Sequence, residues 1–296
     1  MSTSARPAIA AARARLADFF APRQTRAGVT ARRLLGAAAP GDPVLADHLI
    51  REMRERTRMD GSTDGSLVKS SWTLLGLVQL DCPPDHASVV RTGGWILARQ
   101  NQPGRFGEGC DDERHNRGLC QHALAGFFTP GSVDDLIAPL TFPIGVTLAD
   151  EGEARFAASC LALRAMLRAR QERRQGIVDH VVSLLNLGEI WGGWAGPWSP
   201  DLVLFALGGV ASAPLDHREK VERLADQVAR RQRKDGAWDV ADDIHAADVM
   251  LAIPSATAQA AVKAAGPVIA AMVGELATDA TEERSLVALR ALLASA

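Results

Sequence analysis

Glycine-bearing breaks recur along this chain at a nearly constant interval, and that interval constrains the fold more than any other feature. The breaks are Asp60-Gly61-Ser62, Pro103-Gly104-Arg105-Phe106, Asp150-Glu151-Gly152, Gly192-Gly193-Trp194 and Asp235-Gly236-Ala237-Trp238. Successive glycines lie 43, 48, 41 and 43 residues apart, and a further 43 reaches Asp279, just before a last apolar segment. Between the breaks, apolar residues return at three- and four-residue spacing, as over Leu67–Leu80, Glu153–Arg170, Val221–Arg233 and Glu282–Leu293. Alternating strand-like runs bounded by turn pairs are scarce. The expectation is an all-α chain built from a helical repeat of about 43 residues with two helices per unit. Spacing alone does not choose between an open solenoid and a closed ring.

The residues at the breaks add to this. Arg91-Thr-Gly-Gly-Trp95-Ile-Leu-Ala-Arg-Gln100-Asn-Gln-Pro-Gly104-Arg-Phe106 resembles the repeat of squalene cyclases and protein prenyltransferase β subunits, in which an outer helix ends in Gln and a Gly-aromatic turn leads into an inner helix. Val221 to Gln232, followed by Gly236-Ala-Trp238, looks like a second copy; Asp60-Gly61-Ser62 and Gly193-Trp194 look like worn ones. The resemblance covers residues 43 to 296. It implies an (α/α)6 toroid of six helix pairs over residues 41–296, with inner helices beginning around Ser66, Arg114, Glu153, Pro200, Asp242 and Glu282. Residues 1–40 are then an N-terminal helical arm. The turn residues have physical tasks: Gln bonds orphan carbonyls or amides, the indole buries area while its N–H reaches an acceptor, and Gly permits the reversal.

In such a fold the first turns of the inner helices converge at one end of a cavity, where helix dipoles favour anions. The stretch Glu108 to His122 places Cys110, His115, Cys120 and His122 among carboxylates, a composition suited to zinc or iron. If Arg114 to Phe128 is helical, His115 and His122 share a face about 10.5 Å apart, whereas Cys120 and His122 point about 200° apart. Cys110 with His115 is alternatively a nucleophile and its base. A second cluster runs from Asp239 through Asp242, Asp243 and His245 to Asp248. The prenyltransferase resemblance implies a metal-binding role for His245 and matches Asp201 to a zinc-binding Asp, although Val203 stands where that family has its Cys. Without the resemblance, Asp201 and Asp242 read equally well as helix N-caps, and His245 as a buried His held by a carboxylate. The metal set is therefore Cys110, Cys120, His122 and His245, the catalytic set Cys110, His115, Asp201 and Asp242, and the substrate-contacting aromatics Trp72, Trp194, Trp198 and Phe127.

Other classes recede. A net charge of -2 gives no electrostatic case for nucleic acid, and no uninterrupted apolar run reaches the roughly 20 residues of a membrane span. The Asp-x-Asp-Asp acid motif of class II terpene cyclases is absent, and 8 Phe plus 6 Trp with no Tyr leave few rings to stabilise a carbocation. Four cysteines and an N-terminus without a secretory apolar core fit the cytoplasm. The expectation is an enzyme of prenyltransferase or terpenoid-cyclase type acting on a small apolar or isoprenoid-like substrate in the central cavity, with zinc or iron as the cofactor and a homodimer or partner subunit as the assembly. The rival is a non-catalytic toroid that holds a lipid-like ligand or a partner protein.

Overall fold

A computed structural model describes residues 5–100, 127–130, 136–192, 194 and 198–295. Among them are twelve helices: α1 (Ala5–Phe20), α2 (Arg26–Leu34), α3 (Asp42–Arg56), α4 (Leu67–Gln79), α5 (Ala87–Leu97), α6 (Glu151–Arg168), α7 (Gln175–Leu185), α8 (Pro200–Val210), α9 (Arg218–Ala229), α10 (Asp243–Leu251), α11 (Ala256–Leu276) and α12 (Glu282–Ala294). A single helical turn, Gly188–Trp191, precedes α8. The described strands are a hairpin, β1 (Leu140–Thr141) antiparallel to β2 (Thr147–Leu148). The all-α expectation holds.

Five of the six expected helix starts are where helices begin, and four of them are written in a local cap. Ser66 accepts from Lys69 N, Asp150 from Glu153 N, Ser199 from Asp201 N, and Asp242 from Ile244 N and His245 N. Each such cap is worth about 1 kcal/mol. The start of α12 has no side-chain cap and follows a short 3-10 turn, Asp279–Thr281. The sixth expected start, Arg114, lies outside the described residues.

The chain divides into two compact units, residues 1–51, 143–145 and 222–296 in one, residues 52–142 and 146–221 in the other. It passes between them within α3 and α9. Residues 40 and 41, the expected edge of an arm, both fall inside the first unit. In the second unit α4 packs on α6 and α6 on α8, with α5 against α4 and α7 against α6 and α8. Its centre is Leu74, Ile96, Phe156, Leu163, Val181 and Leu204, all fully buried. In the first unit α10 packs on α12 and α12 on α2, while α11 and α1 cover this row from one side. Ile9 and Arg15 of α1 reach Gly266 and Gly274 of α11, so those two helices run parallel. Leu16, Phe20, Val29, Ile244, Ile269 and Leu289 close that core. α11 is the one described helix long and apolar enough to cross a membrane by length and composition. Here it packs on α1, α10 and α12.

One turn recurs in both units. At the end of α3, Thr57 pairs with Thr63, Arg58 N donates to Ser62 O (2.8 Å), Gly61 N to Arg58 O (2.9 Å), and Asp60 Oδ1 accepts from Ser62 N. After α9, Gln232 pairs with Trp238, Arg233 N donates to Ala237 O (2.7 Å), Gly236 N to Arg233 O (3.0 Å), and Asp235 Oδ1 accepts from Ala237 N. Gly61 and Gly236 have φ of 97° and 94°, a region that favours glycine. A Cβ at Gly61 would stand 2.5 Å from Arg91 O on α5; one at Gly236 would overlap the Ala264 carbonyl on α11. Each turn thus lies against the next odd-numbered helix. Gln232 fixes the second copy by donating to Gly236 O (2.7 Å) and Ala261 O (2.9 Å).

A third pairing of this kind follows α5, while Gly104 and Phe106 lie outside the described residues. Gln100 pairs with Phe128, and Thr129 N donates to Arg99 O (2.8 Å), just as Asp239 N donates to Arg231 O (3.1 Å). The aromatic partner of Gln100 is therefore Phe128. α4 packs directly on α6. Gly152 is no turn glycine either; it sits in the first turn of α6. The indoles also differ: Trp95 donates to Asp60 Oδ2 (3.2 Å), whereas buried Trp238 Nε1 has no acceptor among the described residues.

Candidate functional site

The first unit brings three helix N-termini together. Asp242 Oδ1 accepts from Ile244 N (3.0 Å) and His245 N (2.9 Å), while its Oδ2 takes a bond from Arg284 of α12 (2.9 Å). Arg284 also donates to Ile144 O (2.8 Å). Beside it Glu283 pairs with Arg26 at the start of α2, and the Thr25 hydroxyl donates to Glu282 (2.7 Å). Arg23 pairs with Asp279. The helices α10, α12 and α2 are therefore parallel, with their positive dipole ends side by side. Two arginines sit at those ends against the dipoles, and the carboxylates of Asp242 and Glu283 hold them there. Farther along, Arg290 of α12 lies 3.7 Å from Asp248 of α10, and His245 is 2 % exposed.

Asp242, expected to be catalytic, thus has one oxygen in a helix cap and the other on a guanidinium. Its neighbour Asp243 is held toward its neutral form. Burial pushes its pKa up, and the negative charge of Asp242 adds to this, against the opposing bond from Trp238 N (2.7 Å). Nothing in the sequence beyond the Asp242-Asp243 pair itself marks the rise at Asp243.

The second unit places α6 and α8 with their N-termini adjacent, Glu153 Oε1 standing 3.5 Å from Ser199 N. Burial raises the pKa of Glu153, Asp150 adds to the rise, and the Ser199 amide opposes it. Trp198, half-buried, immediately precedes the cap, and Asp201 follows in the first turn of α8, its amide donating to Ser199 Oγ (3.2 Å). Asp201 is therefore not the N-cap; Ser199 is. Glu151 behaves oppositely to Glu153: burial works against its charge, but the amides of Ile137 and Ala138 and the Arg155 guanidinium outweigh it and lower its pKa. Glu153 escaped the sequence reading because a Glu three residues after an Asp looks like ordinary capping.

Of the expected substrate-contacting aromatics, Trp72, Trp194 and Trp198 are half-buried. Phe127 is not open to a ligand among the described residues: it has no exposed surface and packs on Phe128, Phe156 and His180 at centroid distances of 5.6, 6.1 and 5.0 Å. Cys110, His115, Cys120 and His122 lie outside the described residues. Among those described, no three His, Cys, Asp or Glu are grouped to hold a metal ion. Cys82 and Cys160 are free and buried, and burial raises both thiol pKa values, that of Cys160 strongly, as expected of core fillers. No known protein family matches the chain, and no curated protein matches it.

Proposed function

We propose that this chain is an (α/α)6 toroid and works as an enzyme of prenyltransferase or terpenoid-cyclase type on a small apolar, isoprenoid-like substrate. The observation that carries the reading is the repeated turn, which in each unit leads into one of three side-by-side even-numbered helices. The twelve helices of the described residues make six pairs when α12 is paired with α1, a helix that packs on it. In this pairing α1 and α2 are members of the ring. The cytoplasm is the proposed location.

Asp242 then serves the scaffold, and proton transfer falls to Asp243 and Glu153, carboxyls that burial makes reluctant to ionise. Asp201 and Trp198 border Glu153 and shape the approach to it. The segment holding Cys110, His115, Cys120 and His122 belongs to the same proposal, with His245 as the described member of the metal set. A zinc or iron ion on thiolate and imidazole ligands of the expected set would act as a Lewis acid on a substrate thiol, water or carbonyl.

The test is turnover of a panel of isoprenoid alcohols and diphosphates followed by mass spectrometry, with metal content measured on the same preparation. Product formed by the wild type and lost in Glu153→Gln or Asp243→Asn proteins that keep their helical spectrum supports the enzyme. Metal-free protein with full turnover removes the ion. No turnover, with an apolar compound extracted from the purified protein, replaces the enzyme by the binding module.

A further inference from the structure

α11 is unlike the other long odd-numbered helices. The outward sides of α3 and α9 are charged, with Asp47, Arg51 and Glu55 exposed on one and Arg218, Glu219 and Arg223 on the other. α11 carries two charges in 21 residues, Lys263 and Glu275, both exposed. Only 39 % of its most apolar stretch is buried. The exposed side runs through Ala260, Ala264, Ala271 and Gly274, bordered by half-buried Pro267, Val268 and Met272, with Arg15 of α1 donating to Gly274 O near its C-terminal end. A face whose own charges stand only toward its two ends, in a protein that charges the equivalent faces along their length, is expected to be covered.

The charges say by what. Lys263 and Glu275 are equidistant from Ile269 and lie about 18 Å apart along the helix. A second α11 laid antiparallel about Ile269 puts each Lys263 opposite the other copy's Glu275. The same register sets Ala264 against Gly274 and Pro267 against Ala271. All four are small, so the axes can approach to about 8 Å. Neither charge has an ion-pair partner within its own chain among the described residues.

We propose that α11 is a two-fold, antiparallel contact between two copies of this chain, closed at both ends by Lys263–Glu275 pairs. A helix about 30 Å long offers only about 300 Å² on each copy, below the usual size of a stable interface, so the dimer is weak and depends on protein concentration.

Sedimentation equilibrium of the full chain, from low to several hundred micromolar, tests this with four proteins. The wild type is expected to move from monomer to dimer across that range. Lys263→Glu and Glu275→Lys each face like charges at both ends and are expected to weaken the dimer about tenfold or more. The doubly exchanged protein restores opposite charges and is expected to recover the wild-type curve. Since both positions are exposed, all four should give the same circular dichroism spectrum. A wild type that stays monomeric overturns the proposal, as does a dimer that ignores the single exchanges. A double variant as weak as the singles overturns it too. So does a monomer that floats with neutral phosphatidylcholine vesicles through α11.

Discussion

Replacing Gly236 by Ala is a sharp test of the repeated turn, because Gly36 provides a control inside the same unit. Both glycines have positive φ, 94° and 66°. A Cβ at Gly36 meets nothing within 4 Å, whereas one at Gly236 would overlap the Ala264 carbonyl oxygen and stand 2.8 Å from its carbon. For Gly36→Ala the left-handed backbone costs about 1–2 kcal/mol, partly offset by about 0.4–1 kcal/mol from the stiffer unfolded chain. The net loss is then about 0.5–1 kcal/mol. Gly236→Ala bears the same terms and must also push the turn off α11, an overpacking cost of about 1–3 kcal/mol. Its expected loss is therefore about 2–4 kcal/mol. Urea unfolding of both variants, followed by far-ultraviolet circular dichroism, measures the difference. Equal losses for the two would refute the reasoning, since strain alone would then account for Gly236 and the turn would not press on α11.

Val240 occupies the turn position that Gly65 fills in the other copy, with φ of 62° against 69°. Val240→Asn, which tolerates that conformation, is expected to raise the urea midpoint by an amount worth about 1 kcal/mol. Asp42 is 3 % exposed, and the hydrogen bonds from Arg32 hold its carboxyl below the ordinary 3.8, against the cost of burial. Its contribution is thus present above that value and lost as pH falls through the lowered one. Asp42→Asn should cost about 3–5 kcal/mol at pH 7 by stranding Arg32, with the penalty shrinking as the wild-type group protonates in acid. Asp243 has the opposite sign: its raised pKa makes stability fall as pH rises from 3.8 through the folded value. Asp243→Asn should flatten that part of the pH–stability curve and cost little at pH 8, and a marked loss there would show that its charge is needed for folding.

What the sequence disclosed follows how far each interaction reaches. Ser66, Asp150, Ser199 and Asp242 cap amides two or three residues away, so the starts of α4, α6, α8 and α10 were readable. The Asp-Gly turns at Gly61 and Gly236 were readable for the same reason. The partner of Gln100 was not, because Phe106 and Phe128 are both chemically fit and only pairing across a long interval chooses between them. Glycine alone was a poor marker as well, since Gly152 is helical. At the candidate site, Asp242 showed both its possible roles in sequence. The bond that commits its second oxygen comes from Arg284, 42 residues on, and the Glu283–Arg26 pair joins residues 257 apart.

The division of the chain has a consequence during synthesis. Residues 52–142 and 146–221 form a unit that is nearly continuous in sequence, whereas its companion needs residues 1–51 together with residues 222–296. At about 5–20 residues per second, the ribosome needs on the order of ten to thirty seconds to advance from residue 51 to residue 222. Throughout that interval α1 and α2 exist without α11 and α12, and the apolar side of α1 that carries Ile9, Leu16 and Phe20 has only α2 to pack on. The nascent chain therefore offers a chaperone a defined target: an early amphipathic helix held open until the last quarter of the protein arrives.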